Sequence, residues 1–499
     1  MSDKPFIDLH CHPGLKSFLT ANTEPERENC WKNLDARRLF GFVDRFLLGH
    51  MLDSASSLSQ LVKGKVSVAV VGLYAYERAM IKGRIWKISG FVLNLLSLSG
   101  ILNRVGIRDI NYDVMLRISD DNSDYFKLFK EVRKHLLKSE TITPGYILPG
   151  TFTDIQWDML NIILAIEGGH NLFNVMPHSA SRNGQVMQNF KKLKYGRHRY
   201  FFFGPAHLES NPLCTHAYGM KIISDARFLP DGEAYGISRL GTAIIKKALK
   251  QSHRILIDIK HMSLVSRRQY YKMLEPGIPV IMSHGGVTGV SSDSMPVLKC
   301  ELTGKCVKVE YFKPRGLMGT SFNPWSINLY DEEIPVIIGS DGIIGMNLDE
   351  RILGTKQHKS SDLTEYFSRR DFLDIWDEVP YNDKIFNGNR TDHRRSRSKW
   401  FVYRRDVKHL CNNILHIVKI GGPEAWHHIC IGSDFDGMVN AIDPYDNSLK
   451  LGKLRRHLIK YLPLMVNSDP GHDYHLGNVV ERVDGIMSGN ALRFLQTYF

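Results

Sequence analysis

The stretch RILIDIKHMSLVSRRQYYKMLEPGIPVIMSHGG (254–286) decides the fold. Two apolar, β-branched runs, RILIDIKHM (254–262) and IPVIMSHGG (278–286), flank a segment of helical character, SRRQYYKMLEP, that ends at Pro276. Short apolar runs bounded by turn residues read as buried strands. Strand, helix and strand in this order predict parallel pairing through a crossover helix. Each run also ends on a polar residue of metal-ligand type, His261 in the first and His284 in the second.

Six further runs of the same kind lie to either side: FIDLHCH (6–12), VSVAVVGLY (66–74), NIILAIEGG (161–169), YFFFGPAHL (200–208), GIIGMNLDE (342–350) and HICIGSDFDG (428–437). Helix-like stretches such as TAIIKKALKQS separate them. Alternating strands and helices predict a parallel sheet, and eight strands suggest closure into a (β/α)₈ TIM barrel rather than an open sheet. Such barrels absorb long insertions as one domain, so residues 1–499 are expected to form a single barrel domain. Residues 13–65, 75–160, 287–341 and 351–427 exceed a simple βα connection and read as insertions. They leave the C-terminal ends of strands, where barrel enzymes build their sites. No internal repeat is evident.

Composition is that of a soluble globular chain, with 43% hydrophobic and 23% charged residues. The start MSDKPFIDLH lacks a basic region followed by an apolar one, so no secretory signal is expected, and GNALRFLQTYF is not a lipid-anchoring tail. The most apolar stretch, Ile85 to Val105, is broken by Lys87, Asn94, Asn103 and Arg104 and reads as a buried helix rather than a membrane span. Seven cysteines at irregular spacing (Cys11, Cys30, Cys214, Cys300, Cys306, Cys411 and Cys430) match neither a disulfide framework nor a zinc knuckle. A reducing cytoplasm is the natural compartment. The net charge of +13 is concentrated in residues 387–405, which carry a net +6. That run reads as a solvated insertion loop. Contact with a nucleic acid or an anionic surface is the other reading; no nucleic-acid motif surrounds the run, and no nucleic-acid partner is expected.

The placement of the polar residues carries the chemistry. His10, His12, Glu167, His207, His261, His284 and Asp434 fall at the ends of otherwise apolar strands, positions that converge at the mouth of a barrel. One such histidine is ordinarily a hydrogen-bonded core residue. So many together, unpaired, would cost several kcal/mol each to bury. A metal centre supplies the compensation, and imidazole with carboxylate suits zinc or a similar first-row ion. The candidate ligands are His10, His12, Glu167, His261, His284 and Asp434. They exceed one tetrahedral site, so two divalent ions sharing a carboxylate is the simplest count.

The motifs DLHCH, AIEGGH, DIKHMS, MSHGG and IGSDFDG, in this order, resemble the membrane (renal-type) dipeptidases, peptidase family M19 of the amidohydrolase superfamily. The resemblance runs from Phe6 to the closing SGNALRFL. It implies that His10 and His12 hold one metal, that Glu167 bridges both, and that His261 and His284 hold the second. It further implies that Asp434 touches metal and shuttles the proton, and that His207 contacts substrate and steadies the tetrahedral oxyanion. The activity implied is hydrolysis of a dipeptide or similar small amide by a hydroxide bridging two zinc ions, without a covalent intermediate. A homodimer without a membrane anchor is likewise implied.

Two departures stand out. The family has His-x-Asp on the first strand, where this chain has His10-x-His12; imidazole still ligates. The family also has an arginine, before an Asn-Leu-x-Asp element, that binds the substrate carboxylate. In INLYDEE the matching position is Ile327, and an aliphatic side chain cannot make that contact. Arg315 and Lys313 are candidates to reach back in its place. The departure opens a second reading, an amidohydrolase acting on a non-dipeptide amide or lactone. A non-catalytic binding protein is a third, which predicts eroded ligands where these are intact. Asp341, Asn347 and Asp349 read as turn residues, Cys11 as barrel wall, and His170 as structural.

Overall fold

Strands β1 (Phe6–Cys11) and β2 (Val66–Leu73) are buried along their whole length, as expected of strands covered on both faces. With β3 (Tyr146–Ile147), β4 (Leu160–Glu167), β5 (Tyr200–Gly204) and β6 (Leu256–Ile257) they make a parallel sheet in the order β1-β2-β4-β5-β6, β3 pairing on β4. The longest register runs from Val68 opposite Asn161 to Leu73 opposite Ile166. These coordinates are a computed structural model, which describes residues 5–20, 29–34, 53–78, 80, 112–120, 122–142, 145–175, 183–219, 229–231, 233–355, 363–376, 399–437 and 439–499.

A second parallel sheet joins β7 (Ile281–Gly285), β10 (Ile343–Met346) and β12 (Ile429–Ile431), with β10 in the centre. The two sheets meet at both ends. Asp258 bridges to Ile281 in parallel register, and Cys11 bridges to Phe435. A buried Asp–Ser pair fastens each seam. Asp8 accepts from the Ser433 amide (2.9 Å) and hydroxyl (2.6 Å), and Asp258 accepts from the Ser283 amide (2.9 Å) and hydroxyl (2.5 Å). Each of the eight strands named in the sequence analysis is present in these two sheets, at shorter length, with the short β3 in addition.

Period-two alternation sorts the strand side chains onto two apolar surfaces. Ile7, Leu9, Val68, Val70, Ile163, Ala165 and Phe202 face one core, plugged by Ala491, Phe494 and Leu495 of the C-terminal helix Asn490–Tyr498. Ala69, Val71, Ile162, Leu164, Ile166 and Phe203 face the other, against the surrounding helices. Serines begin two of those helices. Ser238 accepts from the Gly241 amide to cap Arg239–Leu249, and Ser263 accepts from the Ser266 amide to cap Leu264–Tyr271.

The insertions hold structure that the sequence reading did not foresee. β8 (Val297–Thr303), β9 (Cys306–Tyr311) and β11 (Thr364–Ser368) form an antiparallel sheet in the order β11-β9-β8. Val307, Val309, Phe367 and Phe372 pack there with Tyr218, Trp325 and Ile327 as a separate apolar cluster. The Ile85–Val105 stretch and residues 387–398 of the basic run lie outside the described residues. Among the described residues no helix is long and apolar enough to cross a membrane.

Candidate metal centre

The ligand-type residues are brought to one end of the parallel strands. His10 lies on β1 and His12 one residue past its end, and both rings turn towards Glu167 at the end of β4. His10 Nε2 is 3.5 Å from Glu167 Oε1, and His12 Nε2 is 3.4 Å from Oε2. From the far side, His261 Nε2 and His284 Nε2 lie 3.3 and 3.7 Å from Oε1. Asp434 joins them, its carboxylate 3.2 Å from His12 Nε2 and 3.8 Å from His284 Nε2. His207 Nε2 is 3.6 Å from Glu167 Oε1. All seven residues expected at the site are therefore at one place, each less than a tenth exposed.

Backbone geometry aims these groups. His261 (φ 67°) and Asp434 (φ 60°) adopt the left-handed conformation, which costs a non-glycine residue of order 1–3 kcal/mol and persists only where surrounding structure enforces it. At Asp434 the enforcing bond runs from its amide to the His10 carbonyl (2.8 Å). Gly72 makes room: a Cβ there would lie 2.6 Å from His10 Cε1 and 2.9 Å from His12 Cε1.

Hydrogen bonds fix the tautomers. His12 Nδ1–H donates to the Gly72 carbonyl (2.6 Å), which leaves the Nε2 lone pair facing Glu167 and Asp434. Ser283 spends its proton on Asp258, so its oxygen accepts from His284 Nδ1–H (2.8 Å), again freeing Nε2. His207 Nδ1 donates to Glu77 Oε2 (2.9 Å), while Glu77 Oε1 accepts from the Leu208 and Glu209 amides (3.1 and 2.8 Å).

Charge is distributed unevenly over these rings. Burial pulls His261 down to about 3 and His284 well below the usual imidazole range, so both are neutral as metal ligation requires. At His10 burial is outweighed by the Glu167 carboxylate, with Asp434 and Asp258, and the ring is raised. His207 is raised to about 9 because Glu77, then Glu167, overcome the same burial. Burial of Glu167 is overcome by His10, His207 and His12, which hold its carboxyl well below the usual range.

The residues fit a metal. Both ring nitrogens of His10, both of His261 and Glu167 Oε2 are buried without a hydrogen-bond partner. Such atoms are rare unless an ion or water serves them. Among the described residues the sets His10–His12–Glu167, His10–His284–Asp434 and Glu167–His261–His284 each gather their ligand atoms within 4.8 Å.

A pocket opens over these groups, lined also by Tyr74, Lys260, Ile327, Asn347, Asp349 and Arg351. Ile327 does line it, and Arg315 is exposed at the surface, outside the lining with Lys313. Two expectations are corrected. Asn347 and Asp349 are not merely turn residues: Asn347 Nδ2 donates to Asp434 (3.2 Å), and Asp349 holds Arg351 through Nε (3.0 Å) and Nη2 (2.6 Å). Alternation past the short β10 turns both towards the site. Asp341 stays at the surface with Arg493. His170 stacks on His207, and its Nδ1 lies 3.7 Å from Glu77. Glu77 and Lys260 were missed. Glu77 lies beyond its strand in YAYER and has no ligand spacing to mark it, whereas Lys260 is hidden beside His261.

No protein-family model and no curated protein matches the chain. Solved structures do. A metallo peptidase from Rhodobacter sphaeroides, liganded with a phosphinate mimic of the dipeptide L-Ala-D-Ala, superposes with a TM-score of 0.53 at 13% identity, covering 99% of each chain. The dipeptidase AC, a metallo peptidase of family M19, gives a TM-score of 0.53 at 12% identity over 99% of this chain and 98% of its own. At such identities the likeness is one of architecture: the chain has the α/β fold of these metallo-peptidases.

Proposed function

We propose that the chain is a binuclear metal-dependent hydrolase that cleaves a dipeptide or similar small amide, built as one closed (β/α)₈ barrel domain. The two seams at Asp258–Ile281 and Cys11–Phe435 support closure. The observation that carries the activity is Glu167, whose carboxylate belongs to two ligand sets at once while buried nitrogens beside it lack partners. His10, His12 and Glu167 would hold one ion and Glu167, His261 and His284 the other, with Asp434 beside both; zinc suits these donors. Two such ions lower the pKa of water and polarise a carbonyl.

This chain's own residues supply the rest. Asp434, oriented by Asn347, accepts a proton from the attacking water and delivers it to the leaving amine nitrogen as the C–N bond breaks. His207, held at Nδ1 by Glu77, presents Nε2–H to the oxygen of the former carbonyl as negative charge grows there. The L-Ala-D-Ala mimic bound by the Rhodobacter protein supports a dipeptide-sized substrate. Seven free cysteines support a reducing cytoplasm.

Ile327 in the pocket wall favours a second reading, an amidohydrolase of a non-dipeptide amide or lactone. Zinc-loaded protein assayed against L,L and L,D dipeptides, neutral amides and lactones separates the two. Turnover confined to neutral amides or lactones removes the dipeptide reading, and no turnover of any of them, with metal bound, removes both.

A further inference from the structure

Lys260 is 1% exposed, yet its side chain lines the pocket beside His261, Ile327 and Asp434. Its ammonium carries three N–H donors, and among the described residues it makes one hydrogen bond, a long one of 3.4 Å to the Ile327 carbonyl. Three carboxylates face it, each with other partners: Asp434, in the same lining, accepts from Asn347 and lies against His12. Asp258 accepts from Ser283 and from the Lys260 amide, and Asp349 accepts from Arg351. Arg351, the arginine of the lining, is spent on that carboxylate, and His207 is held by Glu77. The pocket therefore holds a desolvated cation whose donors are largely unused, next to the groups that would act on the scissile bond. Ile327, packed with Trp325, Val307 and Phe367, offers that region no charge of its own.

We infer that Lys260 is the specificity residue of this pocket, donating to a carboxylate on the substrate, so that the favoured substrate is a small amide bearing a free carboxylate rather than one without it. The inference rests on the hydrolase reading above and names its substrate class. A point-charge ammonium suits one carboxylate oxygen and does not impose the planar fork of an arginine.

The test compares L-Ala-L-Ala with its C-terminal amide on zinc-loaded wild type, Lys260→Met and Lys260→Arg, with metal content measured for each because Lys260 adjoins His261. A charge-assisted hydrogen bond corresponds to about 10- to 100-fold in affinity. Wild type should prefer the carboxylate substrate by that factor. Lys260→Met should lose the preference through a KM raised for the carboxylate compound relative to its amide, and Lys260→Arg should restore part of it. Lys260→Met with full metal and an undiminished preference overturns the inference, as does a wild type indifferent to the carboxylate. Should wild type cleave neither compound, the dipeptide reading fails on its own. Calorimetric binding of the two compounds to wild type and Lys260→Met then decides the role of Lys260: equal binding in all four pairings refutes it, and carboxylate-selective binding lost in the variant upholds it.

Discussion

Removing the Glu167 carboxylate should empty both proposed metal positions together, whereas removing His261 should empty one. The reason is geometric. Glu167 Oε1 lies 3.5 Å from His10 Nε2 and 3.3 Å from His261 Nε2, and Oε2 lies 3.4 Å from His12 Nε2. A cation held by either group of imidazoles would thus feel this one carboxylate. A unit charge pair at about 4 Å in an effective dielectric of 20 is worth about 4 kcal/mol, so each divalent ion loses at least roughly 10³-fold in affinity. Desolvation acts in the same direction, since the ligands would otherwise present several neutral imidazoles and one remaining carboxylate, Asp434. Zinc-loaded wild type, Glu167→Ala, Glu167→Gln and His261→Ala are dialysed against the same buffered zinc concentration and analysed for metal, with circular dichroism to confirm folding. The expected contents are about two ions for wild type, about one for His261→Ala and near none for either Glu167 variant. Glu167→Gln separates charge from shape, because the amide keeps the volume and loses the charge. A folded Glu167→Ala that keeps two ions, or sheds only one, would refute the reasoning that one carboxylate serves both positions.

Three further outcomes follow from the geometry. Gly72→Ala should displace the His10 and His12 rings, whose Cε1 atoms the new methyl would meet at 2.6 and 2.9 Å; a misplacement approaching 1 Å corresponds to about 10²-fold in kcat/KM, with roughly one ion retained by the His261–His284 side on metal analysis. Glu333→Ala should destabilise the fold by about 3–5 kcal/mol in urea titration, because it strands buried Arg267, which pairs with Glu333 at 2.6 and 2.8 Å and ties its helix to the Ser326 carbonyl (2.7 Å). Glu365 is pushed up to about 7, chiefly by burial, despite bonds from Ser326 and Tyr311. Its folded value exceeds its unfolded one, so the stability it contributes is full below pH 4.5 and is lost as pH rises to about 7. The loss is about 3 kcal/mol, and Glu365→Gln should flatten the pH dependence of urea midpoints across that window; an unchanged slope counts against it.

Much of the centre was legible in the sequence because strands alternate. In DLHCH the ring-bearing positions 10 and 12 share a face, and a histidine or carboxylate closing an apolar run in AIEGG, DIKHM, MSHGG and GSDFDG has few places to go but the mouth of a parallel array. Hidden from that reading were groups whose role depends on contacts far along the chain. Glu77 matters because it lies 2.9 Å from His207, 130 positions later. Asn347 looked like turn chemistry until Asp434 was found 3.2 Å from its amide. The antiparallel sheet of residues 297–368 escaped for the same reason, since its third strand pairs across more than fifty residues of chain.

The sequence by itself determined the parallel α/β order, the candidate ligand residues and their common end of the strands, since these follow from local hydrophobic periodicity and residue chemistry. Only the tertiary structure decided the distances at which Glu167 stands between the two sets of imidazoles and which tautomer His12, His207 and His284 adopt. It also decided that Lys260, not Arg315 or Lys313, brings a cation to the pocket beside Ile327. Those outcomes depend on distances between side chains remote in the chain, and distances of that kind are set by how the strands and insertions pack rather than by any local pattern.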